Sequence, residues 1–210
     1  MLPLIPFYLI RHGQSEANAA NITAGGRFDS PLNAIGQQQA RDLAPYMAQL
    51  ETLPGCVYHS NMLRARDTAM MLNETWRLPT VEREDLREHD MGAWDGLPWL
   101  EVEPQLTAKM SPPGGESEAH FAERIKTALS EILITAPAHP PVVVAHGGLF
   151  HAIGFMYSYA MSHVNNCHLH YFEPCKDHVL FPWKVWQFDV VNGSLVKSPA
   201  PFCGSVAVVK

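Results

Sequence analysis

The stretch Phe7-Tyr8-Leu9-Ile10-Arg11-His12-Gly13 decides how this chain is interpreted. Its four consecutive apolar residues are typical of a strand that is buried on both faces of a sheet. A second apolar run, Val142-Val143-Val144-Ala145, is followed in the same way by His146-Gly147-Gly148. The sequence therefore predicts two buried strands, each of which leads directly into polar residues.

Helical and strand-like segments alternate along the rest of the chain. Apolar residues recur at helical spacing over roughly 34–51, where Asn33 is the predicted N-cap and Pro45 is expected to kink or split the helix. Three further helices are predicted, over residues 61–76, from the N-cap Ser117 to residue 132, and over 149–161. Three further strands are predicted, at residues 56–58, 183–191 and 205–209. This alternation predicts an α/β fold with a largely parallel sheet.

Polar clusters follow three of the predicted strands. They are Arg11-His12-Gly13, the segment from Ser60 to Ala65 with Arg64, and Ala145-His146-Gly147-Gly148. Ligands of parallel sheets bind beyond the carboxyl ends of the strands, so we expect the two histidines and two arginines at one edge. Guanidinium groups match phosphate oxygens, and a neutral imidazole can act as a nucleophile.

The simplest chemistry for this set is attack of an imidazole on phosphorus, followed by hydrolysis of the phosphohistidine. The sequence contains no GxxxxGK[ST] phosphate loop and no serine or cysteine nucleophile motif beside these clusters. The leaving alcohol needs a proton donor, and Glu88 is predicted to supply it. Its neighbours Glu82, Glu84 and Asp85 are interpreted as surface charges.

Composition narrows the function classes. The chain has 210 residues, 47% of them hydrophobic, and a formal net charge of −6, which argues against a general nucleic-acid binder. No apolar run is long enough to span a membrane, and residues 1–10 lack the features of a signal peptide. The four cysteines form no CxxC pair, so the sequence predicts reduced thiols and a cytoplasmic protein.

Two segments stand apart from the regular pattern. Residues 85–116 are rich in glycine and proline, which predicts an irregular excursion of the kind that often carries function. Residues 163–178 are rich in histidine and cysteine, but their spacing does not match a structural zinc site. The alternation of His168 and His170 instead fits two side chains on one face of a strand. We predict no metal here.

Taken in order, the motifs resemble those of the histidine phosphatase, or phosphoglycerate mutase-like, superfamily. The matching blocks are residues 9–18 (LIRHGQSEAN), 30–40 (SPLNAIGQQQA), 60–69 (SNMLRARDTA), 86–88 with 92–96 (LRE, GAWDG), 114–117 (GGES) and 143–148 (VVAHGG). Any one block is a weak signal, whereas the ordered set covers about 150 positions and is specific.

The resemblance implies a fold and a role for each matching residue. The fold would be a three-layer sandwich of helices around the sheet, forming one domain over residues 1–210. His12 would be the phosphorylated nucleophile and Glu88 the proton donor. Phosphoryl oxygens would be bound by Arg11, Arg64, His146, Asn18 and Gly147. The resemblance also implies that no metal or other cofactor is needed. From the irregular composition of residues 85–116 and the variable, aromatic-rich residues 150–184, we expect these two segments to form a substrate lid.

Two other functions remain as alternatives to a phosphatase for a small phosphomonoester. Cofactor-dependent mutases of the family usually carry a tryptophan near the position of Ala17 and a longer middle insert, and this chain has neither. A non-catalytic phosphate-binding module would have lost its nucleophile or an arginine, and His12, Arg11 and Arg64 are all present. The sequence leaves the substrate open, and it also leaves open whether two copies form a homodimer.

Overall fold

The computed structural model describes residues 1–135, 138–159, 161, 163–177 and 180–200. The strands are β1 Phe7–Arg11, β2 Val57–Ser60, β3 Thr80–Arg83, β4 Val142–Ala145, β5 Leu169–Pro174, β6 Trp183–Val191 and β7 Ser194–Pro199. The α-helices are α1 Glu16–Ala19, α2 Ala34–Leu43, α3 Leu63–Trp76, α4 Trp99–Thr107, α5 Glu118–Thr135 and α6 Gly147–Met156. Short 3-10 helices cover Ala44–Gln49, Glu84–Leu86 and Gly92–Trp94.

The strands form one mixed sheet in the order β3-β2-β4-β1-β5-β6-β7. Strands β3, β2, β4 and β1 run parallel, as the alternation of strands and helices predicts. The other half departs from a largely parallel sheet, because β5, β6 and β7 join antiparallel to β1 and to each other. The predicted polar clusters all belong to the parallel half, so their common edge is preserved.

Helices cover both faces of the sheet and give the three layers of an α/β sandwich. Phe7 and Leu9 of β1 pack on one side into the core that contains α5 and α6. Tyr8 and Ile10 point to the other side, into the core that contains α2 and α3. Burial on both faces explains why β1 and β4 are uninterrupted apolar runs rather than alternating ones.

Several predicted boundaries move in the structure. The helix predicted over 34–51 ends as an α-helix at Leu43 and continues as a 3-10 helix with Pro45 in its first turn, which confirms the predicted split. The second strand covers Val57–Ser60, so Ser60 belongs to it. The helix predicted over 149–161 already begins at Gly147 and ends at Met156.

Other elements were not predicted. The excursion over residues 85–116 contains helix α4, which holds Pro104 in its interior. Strands β3 and β7 lie at the two edges of the sheet, and their residues are exposed or half-buried, so they lack an apolar signature. The strand predicted over 205–209 lies outside the described residues. Among the helices that the structure describes, none is long and apolar enough to cross a bilayer.

The loop after β1 packs closely against the start of α2. A β-carbon on Gly13 would lie 2.5 Å from the carbonyl oxygen of Gly36, and one on Gly36 would overlap the backbone of Gln14. The Gly13 amide also donates to Thr68 Oγ1 on α3 at 3.0 Å. These contacts hold the backbone next to His12 against two helices at once.

Candidate active site

The three polar clusters meet at the carboxyl edge of β1, β2 and β4. His12 follows β1 directly, His146 follows β4 directly, and Arg64 lies in the first turn of α3, just after β2. All three side chains are buried, and the ring centroids of His12 and His146 are 5.3 Å apart. The structure therefore brings together the residues that the strand-end pattern placed at one edge.

The hydrogen bonds of His12 define which ring nitrogen can react. Its Nδ1 lies 2.7 Å from the carbonyl oxygen of Gly13, so Nδ1 carries the proton and donates it there. Its Nε2 accepts from Arg64 Nε at 3.1 Å and therefore holds the lone pair. Burial, with help from Arg64 and Arg11, holds the pKa of His12 well below its ordinary value of 6.5. The ring is neutral, as a nucleophile must be.

His146 presents the opposite ring nitrogen to the site. The Ser60 hydroxyl accepts from the Met62 amide at 3.3 Å and lies 2.9 Å from His146 Nε2, to which it can donate its own proton. In the tautomer that accepts this bond Nδ1 carries the ring proton, and Nδ1 is a buried atom with no hydrogen-bond partner among the described residues. Burial and the charge of Arg64 lower the pKa of His146 as well. His146 thus supplies a neutral donor to the site.

The two arginines are held by backbone carbonyls. Arg64 is 1% exposed, and its Nη atoms donate to the carbonyl oxygens of Phe28 at 3.3 Å and Ala24 at 3.0 Å. Arg11 Nη1 donates to the carbonyl oxygen of Val164 at 2.6 Å, while its Nε has no partner in the described part of the chain. Carbonyls orient a guanidinium group without cancelling its charge. The Asp29 carboxylate lies 3.8 Å from Arg64 Nη1 and is partly exposed to water, so much of the positive charge is kept for an anion.

Glu88 reaches the same edge from the irregular segment. Its Oε1 accepts from the His89 amide at 2.9 Å, and its Oε2 accepts from the Gly148 amide in the first turn of α6 at 3.1 Å. Arg124 on α5 fixes the backbone by donating to the Glu88 carbonyl at 3.2 Å, and Glu116 holds Arg124 at 2.6 Å. The half-buried carboxyl group is therefore placed beside the helix that directly follows His146.

The three neighbouring carboxylates, which are interpreted from the sequence as surface charges, lie away from the start of α6. Glu82 and Glu84 lie on the surface, and Asp85 forms an ion pair with Arg83. Of this acidic group, Glu88 is the residue that contacts the start of α6.

Asn18 and Gly147 lie close to His12 and Arg11, respectively. The Asn18 amide oxygen accepts from Asn166 Nδ2 at 3.1 Å, and the same nitrogen donates to the His12 carbonyl at 3.0 Å. A β-carbon on Gly147 would lie 3.5 Å from Arg11 Nε, so this glycine leaves space beside the unpartnered nitrogen. Both positions are suited to contact with a phosphoryl group bound at His12.

Sequence reasoning missed the residues that orient this set. Ser60, Asn166 and Arg124 act through hydrogen bonds to residues 86, 154 and 36 positions away in the chain. Ser60 stood inside a recognised block, which was a usable signal. Asn166 and Arg124 lie in segments without a motif, so nothing local marked them.

The histidines and cysteines of residues 163–178 that the structure describes do not form a metal site. Within the described residues, no three of them come together with metal-binding geometry. His168 contacts Asp189 at 3.1 Å, and its ring meets that of His170 on the same side of the strand. The Cys167 amide donates to the carbonyls of Arg11 and His12, which ties this segment to the nucleophile loop. His178 lies outside the described residues.

Comparison with known proteins shows the family of the chain. The sequence profile of the histidine phosphatase superfamily (branch 1) matches residues 7–176. A metal-independent phosphoserine phosphatase of Arabidopsis thaliana is 36% identical, and the match spans 69% of this chain and 65% of that protein.

Two solved structures extend the comparison to the fold. The mycobacterial glucosyl-3-phosphoglycerate phosphatase in complex with VO3 is 26% identical, with a TM-score of 0.72 over 90% of this chain and 100% of that chain. A phosphoglycerate mutase from Thermus thermophilus is 29% identical, with a TM-score of 0.64 over 80% and 92% of the two chains. The chain belongs to the histidine phosphatase superfamily.

Proposed function

We propose that this chain is a phosphatase that hydrolyses a small phosphomonoester through a phosphohistidine on His12. The observation that carries the proposal is the state of His12, a buried neutral imidazole whose Nε2 lone pair faces Arg64. Arg11 Nε and His146 Nδ1, both without a partner among the described residues, supply two further donors beside it. This set matches an incoming phosphoryl group, which offers oxygen acceptors and an electrophilic phosphorus.

In the first step, His12 Nε2 forms a bond to phosphorus while the bond between phosphorus and the ester oxygen breaks. Arg64 Nε moves its hydrogen bond from Nε2 to a phosphoryl oxygen, which frees the lone pair. The Gly13 carbonyl stabilises the positive charge that develops on the ring through the Nδ1 proton. Glu88 gives its proton to the departing alkoxide, which leaves as the alcohol.

In the second step, Glu88 is a carboxylate and acts as the base. It takes a proton from a water molecule, whose oxygen attacks the phosphorus as the bond to His12 Nε2 breaks. The products are inorganic phosphate, neutral His12 and protonated Glu88, so the site returns to its starting state. The charge on the phosphoryl oxygens is stabilised throughout by Arg11, Arg64 and His146.

We further propose that the reaction needs no metal ion and no cofactor. The two arginines and His146 supply the positive charge and the donors that a metal would otherwise supply. The name of the Arabidopsis relative, a metal-independent phosphatase, supports this proposal. The three cysteines that the structure describes are free thiols, which supports a cytoplasmic location.

The partner in this proposal is a small phosphorylated molecule, and nucleic acids and membranes are not expected partners. The mutase alternative keeps one supporting observation, the likeness to the Thermus phosphoglycerate mutase. Both reactions share the phosphohistidine and differ in whether water or a second hydroxyl group accepts the phosphoryl group.

The test is phosphate release from a panel of esters, with chelator present, by wild type and by His12→Ala. The panel contains phenyl phosphate, O-phosphoserine, 3-phosphoglycerate, glucosyl-3-phosphoglycerate and a phosphopeptide. Release by wild type alone supports the phosphatase, and the ranking identifies the substrate class. Isomerisation of phosphoglycerate without release would support the mutase, and no reaction with any ester would leave only a binding function. Strong inhibition by the chelator would refute metal independence.

A further inference from the structure

Two exposed histidines lie near Arg11 and have no part in the mechanism above. They are His151 on α6 and His163 in the segment before β5. We propose that His151 and His163 form a second anion subsite beside Arg11, which selects esters whose leaving group carries a carboxylate or a second phosphate. The inference rests on the proposed phosphatase function and specifies the substrate class of that same site.

The position of His151 follows from the geometry of α6. Gly147 and Gly148 begin this helix, and they lie against Arg11 and Glu88 respectively. His151 comes three and four residues later and therefore lies on the same helix face as both glycines. Helical side chains lean toward the N-terminus and cover the preceding turn. Arg11 and Glu88 pack against the two glycines, so the His151 imidazole, one turn further along this face, lies next to both of these charged groups.

His163 approaches Arg11 from the other side. The next residue, Val164, accepts the Arg11 Nη1 hydrogen bond through its carbonyl oxygen at 2.6 Å. Val164 is buried, whereas His163 is exposed. The backbone of residues 163 and 164 is thus fixed against the guanidinium group, and the His163 side chain stands at the outer border of the pocket.

The charges around these rings explain how the subsite would work. Partial withdrawal from water lowers the pKa of His151, and Arg11 adds to this effect, whereas Glu88 and Glu118 act in the opposite direction. The pKa of His163 is lowered by the same loss of hydration, by Arg11 and by His151. In the free enzyme the charge of Arg11 therefore disfavours protonation of both rings. A bound phosphoryl group offsets that charge, so each ring can take up a proton and bind a second anion.

The same geometry limits the size of the substrate. One turn of α6 separates His151 from the glycines at the pocket, which corresponds to about 5.4 Å along the helix. A second anionic group on a two- or three-carbon leaving group reaches that distance from the phosphorus. A long or branched leaving group would place its charge beyond both imidazoles.

Matched substrate pairs test the proposal directly. 3-Phosphoglycerate and glycerol 3-phosphate differ in a carboxylate, and propane-1,3-diol bisphosphate and its monophosphate differ in a second phosphate. We compare the ratio of kcat/KM within each pair for wild type, each single variant, His151→Ala/His163→Ala, and the control His139→Ala. His139 is exposed and lies just before β4, at the opposite edge of the sheet.

We expect wild type to have the higher kcat/KM for the more anionic member of at least one pair. In the double variant the ratio of kcat/KM between the two members of that pair should be about tenfold lower, because charge-assisted hydrogen bonds to the second anion are lost. The pair with the larger loss distinguishes a carboxylate from a phosphate as the natural second group. The wild-type ratio should rise as the pH falls below about 6.5, because protonated imidazoles bind anions better, and the double variant should lose this rise. The control should match wild type.

The outcomes separate the two proposals. If wild type hydrolyses no ester, the phosphatase function itself is refuted. If wild type and the double variant both hydrolyse phenyl phosphate but show the same ratio within each pair, only the second anion subsite is refuted. Both histidines are exposed, so their replacement is expected to leave the fold intact, and urea unfolding of the variants checks this.

Discussion

His12 and Glu88 belong to one site but are held by different kinds of structure. His12 follows a strand that is buried on both faces, and its ring is fixed by hydrogen bonds at both nitrogens. Glu88 lies in an irregular segment, and its backbone is fixed chiefly by Arg124, which is itself held by Glu116. The proposed nucleophile is thus part of the core, whereas the proposed acid is attached to the core from outside.

This difference separates the two chemical tasks. Burial keeps the His12 ring neutral and reactive, and the surrounding strands cannot move without disturbing the core. The Glu88 side chain is half-buried and can be displaced by a change of one atom at a neighbouring position. Changes on the nucleophile side should therefore affect every substrate, and changes on the acid side should affect mainly substrates with poor leaving groups.

The largest effect is expected on the nucleophile side, at Arg64. Arg64→Lys removes the Nε donor that we propose moves from His12 to a phosphoryl oxygen, together with the Nη atoms that hold the group in place, so kcat/KM should fall by about 10²–10³ for every ester. The matched control is Arg66→Lys, two residues further on α3, where the side chain is half exposed and pairs with Asp67. Equal losses in both variants, or a loss confined to one class of ester, would contradict the assignment.

The next effect concerns the acid. Glu88→Gln cannot protonate a leaving group, so hydrolysis of an alkyl phosphate should fall by about 10²–10⁴, while formation of the phosphoenzyme from p-nitrophenyl phosphate should fall much less. Stopped-flow release of p-nitrophenol measures that step, and Glu84→Gln is the control because Glu84 lies on the surface only four residues before Glu88. If Glu88→Gln slows phosphoenzyme formation from the alkyl and the aryl phosphate by the same factor, the acid is another residue.

A milder change tests the attachment of Glu88. A β-carbon on Gly148 would overlap Glu88 Oε1, whereas one on Gly147 would make an ordinary contact at 3.5 Å. Because the overlapping atom is the end of a flexible side chain, Gly148→Ala should keep the fold and displace the carboxyl group. We expect about a tenfold loss on alkyl phosphates and a smaller one on aryl phosphates. Gly147→Ala should not show this selectivity, and the same selectivity in both variants would refute the explanation.

The smallest expected effect is on the free energy of unfolding, and it concerns the buried His12. Burial lowers the pKa of His12 in the folded state, whereas the unfolded chain titrates near 6.5. Below that pH the unfolded state binds more protons than the folded state. The contribution of neutral His12 to the free energy of unfolding is therefore fully present above pH 6.5 and is lost as the pH falls, by up to about 1.4 kcal/mol per pH unit. Urea unfolding at several pH values between 5.5 and 7.5 gives the free energy of unfolding as a function of pH. This free energy should change less steeply with pH in His12→Asn than in wild type or His139→Asn. An unchanged slope would show that His12 is not buried as a neutral ring.

The sequence predicted the nucleophile side well because its signals are local. An unbroken apolar run followed by Arg11 and His12 specifies a buried strand and the residues at its end, and the same holds for His146 after β4. Parallel strands then place these residues at one edge without any further information. The resemblance supplied the roles, and the geometry supplied the tautomers.

The rest depended on contacts that a sequence does not display. Arg124 meets Glu88 across 36 positions, and Asn166 meets His12 across 154. The antiparallel half was underestimated because β5 and β7 carry polar residues and one edge of the sheet is covered only in part. Helix α4 was missed because its internal Pro104 argued against a helix. In each of these places, tertiary contacts decide the structure.

The central claim is that His12 Nε2 carries the phosphoryl group during the reaction. The most direct measurement is rapid quenching of wild type, His12→Ala and Glu88→Gln with a ³²P-labelled aryl phosphate, followed by peptide mapping of the protein-bound label. The account predicts an acid-labile, base-stable label on His12 in wild type, more of it in Glu88→Gln, where hydrolysis lacks its base, and none in His12→Ala. Label on another residue, or equal turnover by His12→Ala, would contradict it.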